Sequence, residues 1–193
     1  DIVSEEGDFD GRFQKIEVKI DELKLSIINV YAPNNACDRK NFFIKINNKI
    51  QEVLNGDFRD IVLSGDFNCV LNPKSDRRNE YGLNPSKQDS GHTEIKEVIL
   101  NNDLEDIWRQ RFPNLRRYTF HKKNSKIASR IDYWLTSKAL DPSVDNVKIK
   151  QAPISDHSAI TLSLKTSPFE RGKGFWKMNV AILNNNQFDS TLR

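Results

Sequence analysis

The segment 61–68, Ile-Val-Leu-Ser-Gly-Asp-Phe-Asn, constrains the fold more than any other part of the chain. It begins as an apolar run typical of a buried strand, and a glycine then leads into polar positions. Side chains alternate along an extended strand, so Asp66 and Asn68 are expected on one side and Phe67 on the other. A carboxylate and a carboxamide at a strand end can position a water, a hard cation or a phosphate oxygen. Gly, Asp and Asn are also turn formers, so a plain strand-to-loop exit explains the segment equally well at this point.

Hydrophobic periodicity predicts a layered α/β domain around this strand. Alternating residues at 12–20 and an apolar run at 25–31 predict a β-hairpin, and apolar residues at three- and four-residue spacing predict a helix over 38–54. The strand 61–67 follows, and this order of elements favours an α/β arrangement. With 193 residues, 37% of them hydrophobic, the chain can form one domain with a single core.

The second half of the chain alternates between polar loops and short elements. Residues 72–91 are predicted as a long loop, followed by a helix that begins near Ser90 or Thr93 and ends at Leu100, and by a short amphipathic piece at 104–108. Four further strands are predicted, at 118–120, 129–136, 147–150 and 159–164. The periodicity then lapses, so residues 1–165 are predicted as one domain and 166–193 as a connector.

Bulk charge and cysteine content exclude little. The chain carries 30 basic and 27 acidic residues, and the resulting charge of +3 neither requires nor excludes a nucleic-acid partner. Cys37 and Cys69 lack the spacing of a metal site and are too few for a disulfide scaffold, so both are predicted to be reduced thiols of an intracellular protein. No apolar run approaches the length of a membrane span.

Polar residues stand at the ends of four predicted strands: Tyr31 with Asn34, Asp66 with Asn68, Asp132, and Asp156 with His157. An imidazole held by a carboxylate acts as a general acid or base, or polarises a phosphate. Adjacent residues on a strand face opposite ways, so Asp132 is the candidate partner of His157 unless Asp156 and His157 lie in a turn.

Each of these residues also has a purely structural explanation. Tyr31 could be a core or rim aromatic, Asp132 could form an ion pair with Arg130, and Asp156 and His157 could cap an element. These explanations would all have to hold at once, so the set as a whole favours a site.

Four short motifs, in this order along the chain, carry a family resemblance. They are Asn-Val-Tyr-Ala-Pro-Asn at 29–34, Gly-Asp-Phe-Asn at 65–68, Ser-Arg-Ile-Asp-Tyr at 129–133 and Ser-Asp-His-Ser at 155–158. Together they resemble the endonuclease/exonuclease/phosphatase family, the relatives of DNase I and the AP endonucleases. The resemblance implies a four-layer α/β-sandwich of DNase I-like type, with two packed β-sheets flanked by helices, and metal-dependent hydrolysis of phosphodiesters.

Two further segments are similar to the endonuclease domain of a LINE-type (non-LTR) retrotransposon polyprotein. Leu-Glu-Asp-Ile-Trp-Arg at 104–109 resembles part of that domain, and Gly-Phe-Trp-Lys-Met-Asn at 174–179 resembles the connector that leads to its reverse transcriptase. The implied function is a DNA-nicking endonuclease that acts in the nucleus and whose target-site cleavage primes reverse transcription.

The resemblance implies a role for each matched residue. Asp66 and Asn68 would orient the attacking water and bind phosphate or metal. Asp156 would join Asp66 at a Mg²⁺ site, where Mn²⁺ is a possible substitute. His157, held by Asp132, would polarise the scissile phosphate.

Double-stranded DNA is the implied partner. Tyr31, counted with the catalytic residues, would contact phosphate and stabilise the leaving side. Basic residues gather around the polar turn after strand 118–120, and retroelement endonucleases use this turn to select target DNA. The residues expected to contact DNA are Asn34, Thr119, His121, Lys122, Lys123, Lys126 and Arg130.

One part of the family pattern is not matched. The family also uses an N-terminal strand that ends in Asn and a Gln-Glu motif whose glutamate is a main magnesium ligand, and neither Glu5 nor Glu6 fits that place. The chain is therefore expected to lack the N-terminal part of the domain, to have impaired activity and to expose unpaired sheet edges. Two alternatives to nicking stay open: a catalytically inactive remnant or DNA-binding fragment, and a family phosphatase acting on inositol phosphates or lipids.

Overall fold

The computed structural model describes residues 1–8, 10–83 and 87–166. Their strands are β1 (Ile2–Gly7), β2 (Phe13–Ile20), β3 (Leu23–Tyr31), β4 (Asp60–Asp66), β5 (Arg77–Arg78), β6 (Leu104–Asp106), β7 (Phe120–His121), β8 (Ala128–Ser129), β9 (Asp132–Ser137), β10 (Val144–Lys150) and β11 (Ala159–Leu164). Their helices are α1 (Ala36–Leu54), α2 (Pro73–Asp76), α3 (His92–Asn101), α4 (Ile107–Arg111) and a 3₁₀ helix at Lys138–Ser143. The expected connector lies outside the described residues from position 167 onward.

A six-stranded sheet forms the centre of the domain, in the order β1-β2-β3-β4-β9-β6. The predicted hairpin is present as β2 and β3, and β3 is parallel to β4 through the crossover helix α1. Helix α1 begins at the expected place because the side chain of Asn35 accepts hydrogen bonds from the amides of Cys37 and Asp38. The predicted hairpin, helix and following strand are therefore confirmed.

The two faces of this sheet bury different partners. Ile61 and Leu63 of β4 lie in a core shared with α1 and α3, whereas Val62 packs on the opposite face with Leu162 and Leu164 of β11. This alternation follows from the two-residue period of a strand. Strands β10 and β11 pair as a separate ribbon over that second face. The predicted α/β class and packed sheets are confirmed, and the described residues supply a helix layer, the central sheet and the ribbon.

Strand β1 was not predicted, because its segment is polar and lacks a clean alternation. It forms one edge of the sheet by pairing with β2, and its side chains join that pairing through polar contacts. Ser4 Oγ donates to a carboxylate oxygen of Glu17 at 2.6 Å, and Glu6 forms ion pairs with Lys15 and Lys49. Both early glutamates therefore lie within β1, and Glu6 is neutralised by two lysines.

The predicted strand 129–136 is divided between two sheets. Strand β8 belongs to a small sheet of order β5-β8-β7, and β9 belongs to the central sheet. The break falls at Arg130 and Ile131, where the chain turns inward and buries the arginine side chain. The predicted long loop likewise contains α2 and β5, and the short piece at 104–108 divides into β6 and the start of α4.

The two cysteines of the chain differ in burial. Cys37 is exposed, Cys69 is buried, and neither thiol is in a disulfide. Burial raises the pKa of the Cys69 thiol to about 12, so this sulfur stays protonated near neutral pH. Among the described residues, none of the helices is both long enough and apolar enough to cross a bilayer.

Candidate active site

Three strand ends of the central sheet place polar side chains in one row. Tyr31 ends β3, Asp66 ends β4 and Asp132 begins β9; the register pairs Tyr31 with Asp66 and Asp66 with Asp132. Asp66 is four residues from Val62, so by strand alternation it faces the same side, towards the ribbon of β10 and β11. Neighbouring strands lie about 4.8 Å apart, so a phenol and two carboxylates lie side by side at one end of these three strands.

Asp66 and Asn68 form a tight polar turn at the exit of β4. The amide of Asn68 donates to Asp66 Oδ1 at 2.8 Å, and its backbone adopts a positive φ of 46°. The Asn68 side-chain Nδ2 donates to the carbonyl of Ala32 at 2.8 Å, which ties the turn to the end of β3. The strand-to-loop exit and the polar site proposed from the sequence are thus the same structure.

Glycine at position 65 is required by the close approach of β3 and β4. Its φ is 133°, and a Cβ built there would lie 1.9 Å from the carbonyl oxygen of Val30. No side chain fits this space, so Gly65 sets how closely Asp66 approaches the end of β3.

His157 reaches the site from the segment that precedes β11. Ser158 and His121 donate backbone hydrogen bonds to the carbonyls of Thr119 and Asp156, which pairs residues 156–158 with 119–121. This pairing brings His157 Nδ1 to 3.0 Å from Asp132 Oδ2 and 3.3 Å from Oδ1. The partnership predicted between Asp132 and His157 is present in the structure.

Burial and charge disfavour ionisation of the two carboxyls. Burial raises the pKa of Asp66 to about 6; the neighbouring charge of Asp132 adds to the increase, and the hydrogen bond from the Asn68 amide opposes it. Burial also raises the pKa of Asp132, against the stabilising effect of His157. The site therefore holds two carboxylates that a positive group would stabilise.

The donor set at this position fits a divalent cation. Asp66, Asp132 and His157 offer ligand atoms that all lie within 4.8 Å of one another. Carboxylate oxygens suit Mg²⁺ and Mn²⁺, and an imidazole suits Mn²⁺ better than Mg²⁺. Asp156 is not in this group: its side chain is exposed and its carbonyl accepts the amide hydrogen of His121. The metal-ligand role of Asp156 stays a prediction.

No protein-family model matches the chain, but known proteins and solved structures are similar to it. It is 28% identical over 185 residues, 95% of its length, to the transposon TX1 uncharacterized 149 kDa protein of Xenopus laevis, of which the match spans 14%. It is 31% identical over 119 residues, 55% of its length, to the DNA repair nuclease APEX1 of Danio rerio, of which the match spans 36%. An AP endonuclease from Archaeoglobus fulgidus has the same fold, with a TM-score of 0.66 and 19% identity over 85% of this chain and 70% of that one.

These similarities agree with a resemblance to the endonuclease/exonuclease/phosphatase family. The resemblance inferred from the four motifs is thereby confirmed, and the similarity to a transposon protein extends along nearly all of the chain. The chain spans about a third or less of the length of the curated relatives it matches.

Two residues predicted to contact DNA in this DNase I-like domain have buried side chains. Thr119 is fully buried, and its Oγ1 accepts hydrogen bonds at 3.0 Å from the amides of Ile131 and Asp132. It therefore anchors the start of β9, and its contact with phosphate stays a prediction. Arg130 is 1% exposed, so its guanidinium is turned to the interior and not to solvent.

Arg130 instead lies at the centre of a buried charge network. It donates to both carboxylate oxygens of Asp76 at 2.9 Å, and to Asp106 at 3.0 and 2.6 Å. Arg109 also pairs with Asp76. The network joins α2, α4 and the entry to β9, so it fixes the backbone just before Asp132. The structural alternative considered from the sequence paired Arg130 with Asp132, whereas among the described residues its carboxylate partners are Asp76 and Asp106.

The other predicted DNA contacts are exposed. His121 is the last residue of β7, and Asn34 lies on the loop after β3. The turn between β7 and β8 carries Lys122, Lys123 and Lys126. Sequence reasoning missed Arg12, whose guanidinium lies over the Tyr31 ring at 5.0 Å from its centroid and donates to the Tyr31 carbonyl at 3.1 Å. Arg12 stands at the start of the alternating segment 12–20, and its contact with Tyr31 became visible only once β2 and β3 were paired.

Proposed function

We propose that this domain is a divalent-cation-dependent endonuclease that nicks double-stranded DNA, within a LINE-type retrotransposon polyprotein that also carries a downstream reverse transcriptase. The carrying observation is the grouping of Asp66, Asp132 and His157 beside Tyr31 at one sheet edge of a DNase I-like fold. The similarity to a transposon protein and to a protein named as a DNA repair nuclease supports the genetic context and the substrate.

Each residue of the site has its own role in the proposed reaction. With Nδ1 of His157 held by Asp132, Nε2 is the ring nitrogen left to bind an oxygen of the scissile phosphate. Asp66, with a pKa of about 6, is mostly ionised at neutral pH and can accept a hydrogen bond from the attacking water. Tyr31 is exposed beside it and can donate to the phosphate. Asp66, with Asp156 as the predicted second ligand, would hold Mg²⁺, or Mn²⁺ in its place, and the bound cation would neutralise phosphate charge.

The surroundings of the site favour DNA over a small phosphorylated substrate. The exposed turn with His121, Lys122, Lys123 and Lys126 extends from β7, and β7 begins at Phe120, the residue that bridges to His157. Cations on a projecting turn beside the site can bind phosphates of a long duplex, with affinity that falls steeply as salt rises. A small phosphorylated substrate confined to the site would not use this turn.

Plasmid nicking tests the proposal. We expect the chain to convert supercoiled to open-circular DNA with Mg²⁺, and Asp66→Asn and His157→Ala to lower the rate by about 10²–10⁴-fold. The control is Asp57→Asn, an exposed carboxylate in the loop before β4, at the opposite end of that strand. Nicking by both site variants at the wild-type rate would refute the assignment.

A second candidate, DNA binding without cleavage, rests on the absence of a glutamate from the carboxylate group. Among the described residues this group contains Asp66, Asp132 and His157, whereas Glu6 lies in β1, three strands from β4, and is paired with Lys15 and Lys49. Salt-dependent duplex binding without Mg²⁺-dependent nicking would support this candidate. Release of phosphate from inositol phosphates, with no nicking, would instead favour a phosphatase.

A further inference from the structure

A basic cavity of about 250 Å³ opens beside the candidate active site. Its lining includes Arg78, Arg116, Arg117, Tyr118, His121 and Ser158. No carboxylate is among the lining residues, so the positive charge of the three arginines is not compensated within the cavity. Such a cavity attracts an anion.

The three arginines lack the acidic partners that several other arginines of the domain have. Arg77 pairs with Asp89 and Arg111 pairs with Asp141. Within the part of the chain that the structure describes, Arg78, Arg116 and Arg117 form no ion pair. An arginine that lacks an acidic partner keeps its guanidinium donors available for an incoming phosphate.

Arg78 is held in place by its own neighbours. Its Nε donates to the carbonyl of Lys126 at 2.7 Å, and its guanidinium lies 5.3 Å from the centroid of the Tyr118 ring. The remaining guanidinium N–H groups are thus fixed in direction before any ligand binds. Preorganisation of this kind lowers the entropic cost of binding a phosphate.

The cavity and the candidate active site are connected by the backbone pairing of residues 119–121 with residues 156–158. Ser158 directly follows His157, and the His121 amide donates to the carbonyl of Asp156 at 2.8 Å. Ser158, which lines the cavity, is therefore the direct neighbour in sequence of His157, whose imidazole is assigned to the scissile phosphate. Phosphates in a DNA strand are close-spaced along its axis, at about 3.4 Å per nucleotide, so a strand at His157 has further phosphates nearby.

We infer that this cavity is a subsite for a backbone phosphate of the cleaved DNA strand, next to the scissile phosphate, with Arg78, Arg116 and Arg117 as its donors. The inference rests on the proposed function, since it takes His157 as the place of the scissile phosphate. Contacts of this type position the strand without reading its sequence. The subsite explains how a single orientation of the strand is selected at an otherwise open sheet edge.

Duplex binding without metal tests the subsite. The variants are Arg116→Gln with Arg117→Gln, both exposed, and separately Arg78→Gln; the matched control is the exposed Arg59→Gln, which lies at the opposite end of β4. Fluorescence anisotropy with a labelled duplex would be measured from about 50 mM to about 200 mM salt. We expect the slope of log affinity against log salt to be smaller by about one in the cavity variants, equally for unrelated sequences, and unchanged in the control.

The outcomes separate this inference from the proposed nicking activity. Cavity variants that keep the wild-type affinity and salt slope, while the wild type nicks plasmid, overturn the subsite and leave the nicking proposal standing. A reduced slope in a chain that does not nick supports the subsite and removes only the cleavage step. A wild type that does not bind duplex DNA overturns the subsite.

Discussion

Asp132 and His157 lie 25 residues apart in the chain, yet the imidazole Nδ1 is 3.0 Å from the carboxylate Oδ2. Two separate pairings create this contact: β9 aligns Asp132 with Asp66, and the bridge between Phe120 and His157 aligns the histidine. Thr119 connects the two, because its hydroxyl oxygen accepts the Asp132 amide and its carbonyl accepts the Ser158 amide. The orientation of the imidazole is therefore built into the strand register.

Replacing the carboxylate that orients His157 should impair the chemical step more than binding. We expect Asp132→Asn to lower plasmid nicking by about 10²–10⁴-fold, because the amide can stabilise neither the required tautomer nor a charged imidazolium. Duplex affinity without metal should change little. Nicking at an undiminished rate, measured beside the Asp57→Asn control, would argue against a catalytic Asp132–His157 pair.

Replacing the buried Arg130 should lower the free energy of unfolding of the domain. Arg130→Met leaves the carboxylates of Asp76 and Asp106 without their main partner, and breaking such a pair costs about 3–5 kcal/mol. Urea unfolding followed by tryptophan fluorescence gives this value. Adding Asp76→Asn should recover part of the loss, since the uncompensated charge is then removed. A loss no larger than that of an exposed-site variant would contradict the network.

The glycine before Asp66 should tolerate no side chain. We expect Gly65→Ala to cost about 3 kcal/mol or more, because its Cβ would overlap the Val30 carbonyl oxygen and φ is positive. Gly11→Ala is the matched control: its φ is also positive, at 65°, but no heavy atom lies within 4 Å of the added carbon. It should cost about 1 kcal/mol. Equal losses, measured by denaturant unfolding, would show that backbone strain rather than the close strand approach sets the requirement.

Asp66 should make stability depend on pH. Its pKa rises from an ordinary 3.8 to about 6 in the folded state, so the folded protein is favoured below pH 3.8 and loses that advantage as pH rises through 6. In EDTA near pH 7, Asp66→Asn should therefore be more stable than the wild type. Allowing for the partial exposure of Asp66, the gain is on the order of 1–2 kcal/mol.

The same variant provides its own control at low pH. Well below pH 3.8, the carboxyl is neutral in both the folded and the unfolded protein, as its amide replacement always is, so the two free energies of unfolding should converge. A stability difference that stays constant from acidic to neutral pH would show that the amide acts through packing or hydrogen bonding instead.

Several parts of the fold could be predicted because they depend on local chemistry. The alternation in β2 and β3, the helical spacing in α1 and the polar exit of β4 are set by residues a few positions apart. The order of the four motifs then indicated the family and the partnership of Asp132 with His157. Strand β1 was missed because its polar residues pair with β2 instead of forming an apolar face.

The identity of the interior charges could not be predicted in the same way. Arg130 and Lys126 look equivalent in the sequence, as basic residues flanking β8, but one is 1% exposed and the other is exposed on a turn. Thr119 likewise resembles a polar strand residue until two backbone amides are found on its hydroxyl. Their surroundings come from α2, α4 and β9, which lie far from them in the chain.

The sequence by itself determined the periodic elements, the polar strand ends and the residue types available for phosphodiester chemistry, because short-range sterics and side-chain alternation act between near neighbours. The tertiary structure decided which of these residues meet. It placed Asp66, Asp132 and His157 together, buried Arg130 between two carboxylates and left Arg78, Arg116 and Arg117 around an open cavity. Burial and charge pairing depend on long-range packing, and that packing alone distinguishes a structural arginine from one that can bind DNA.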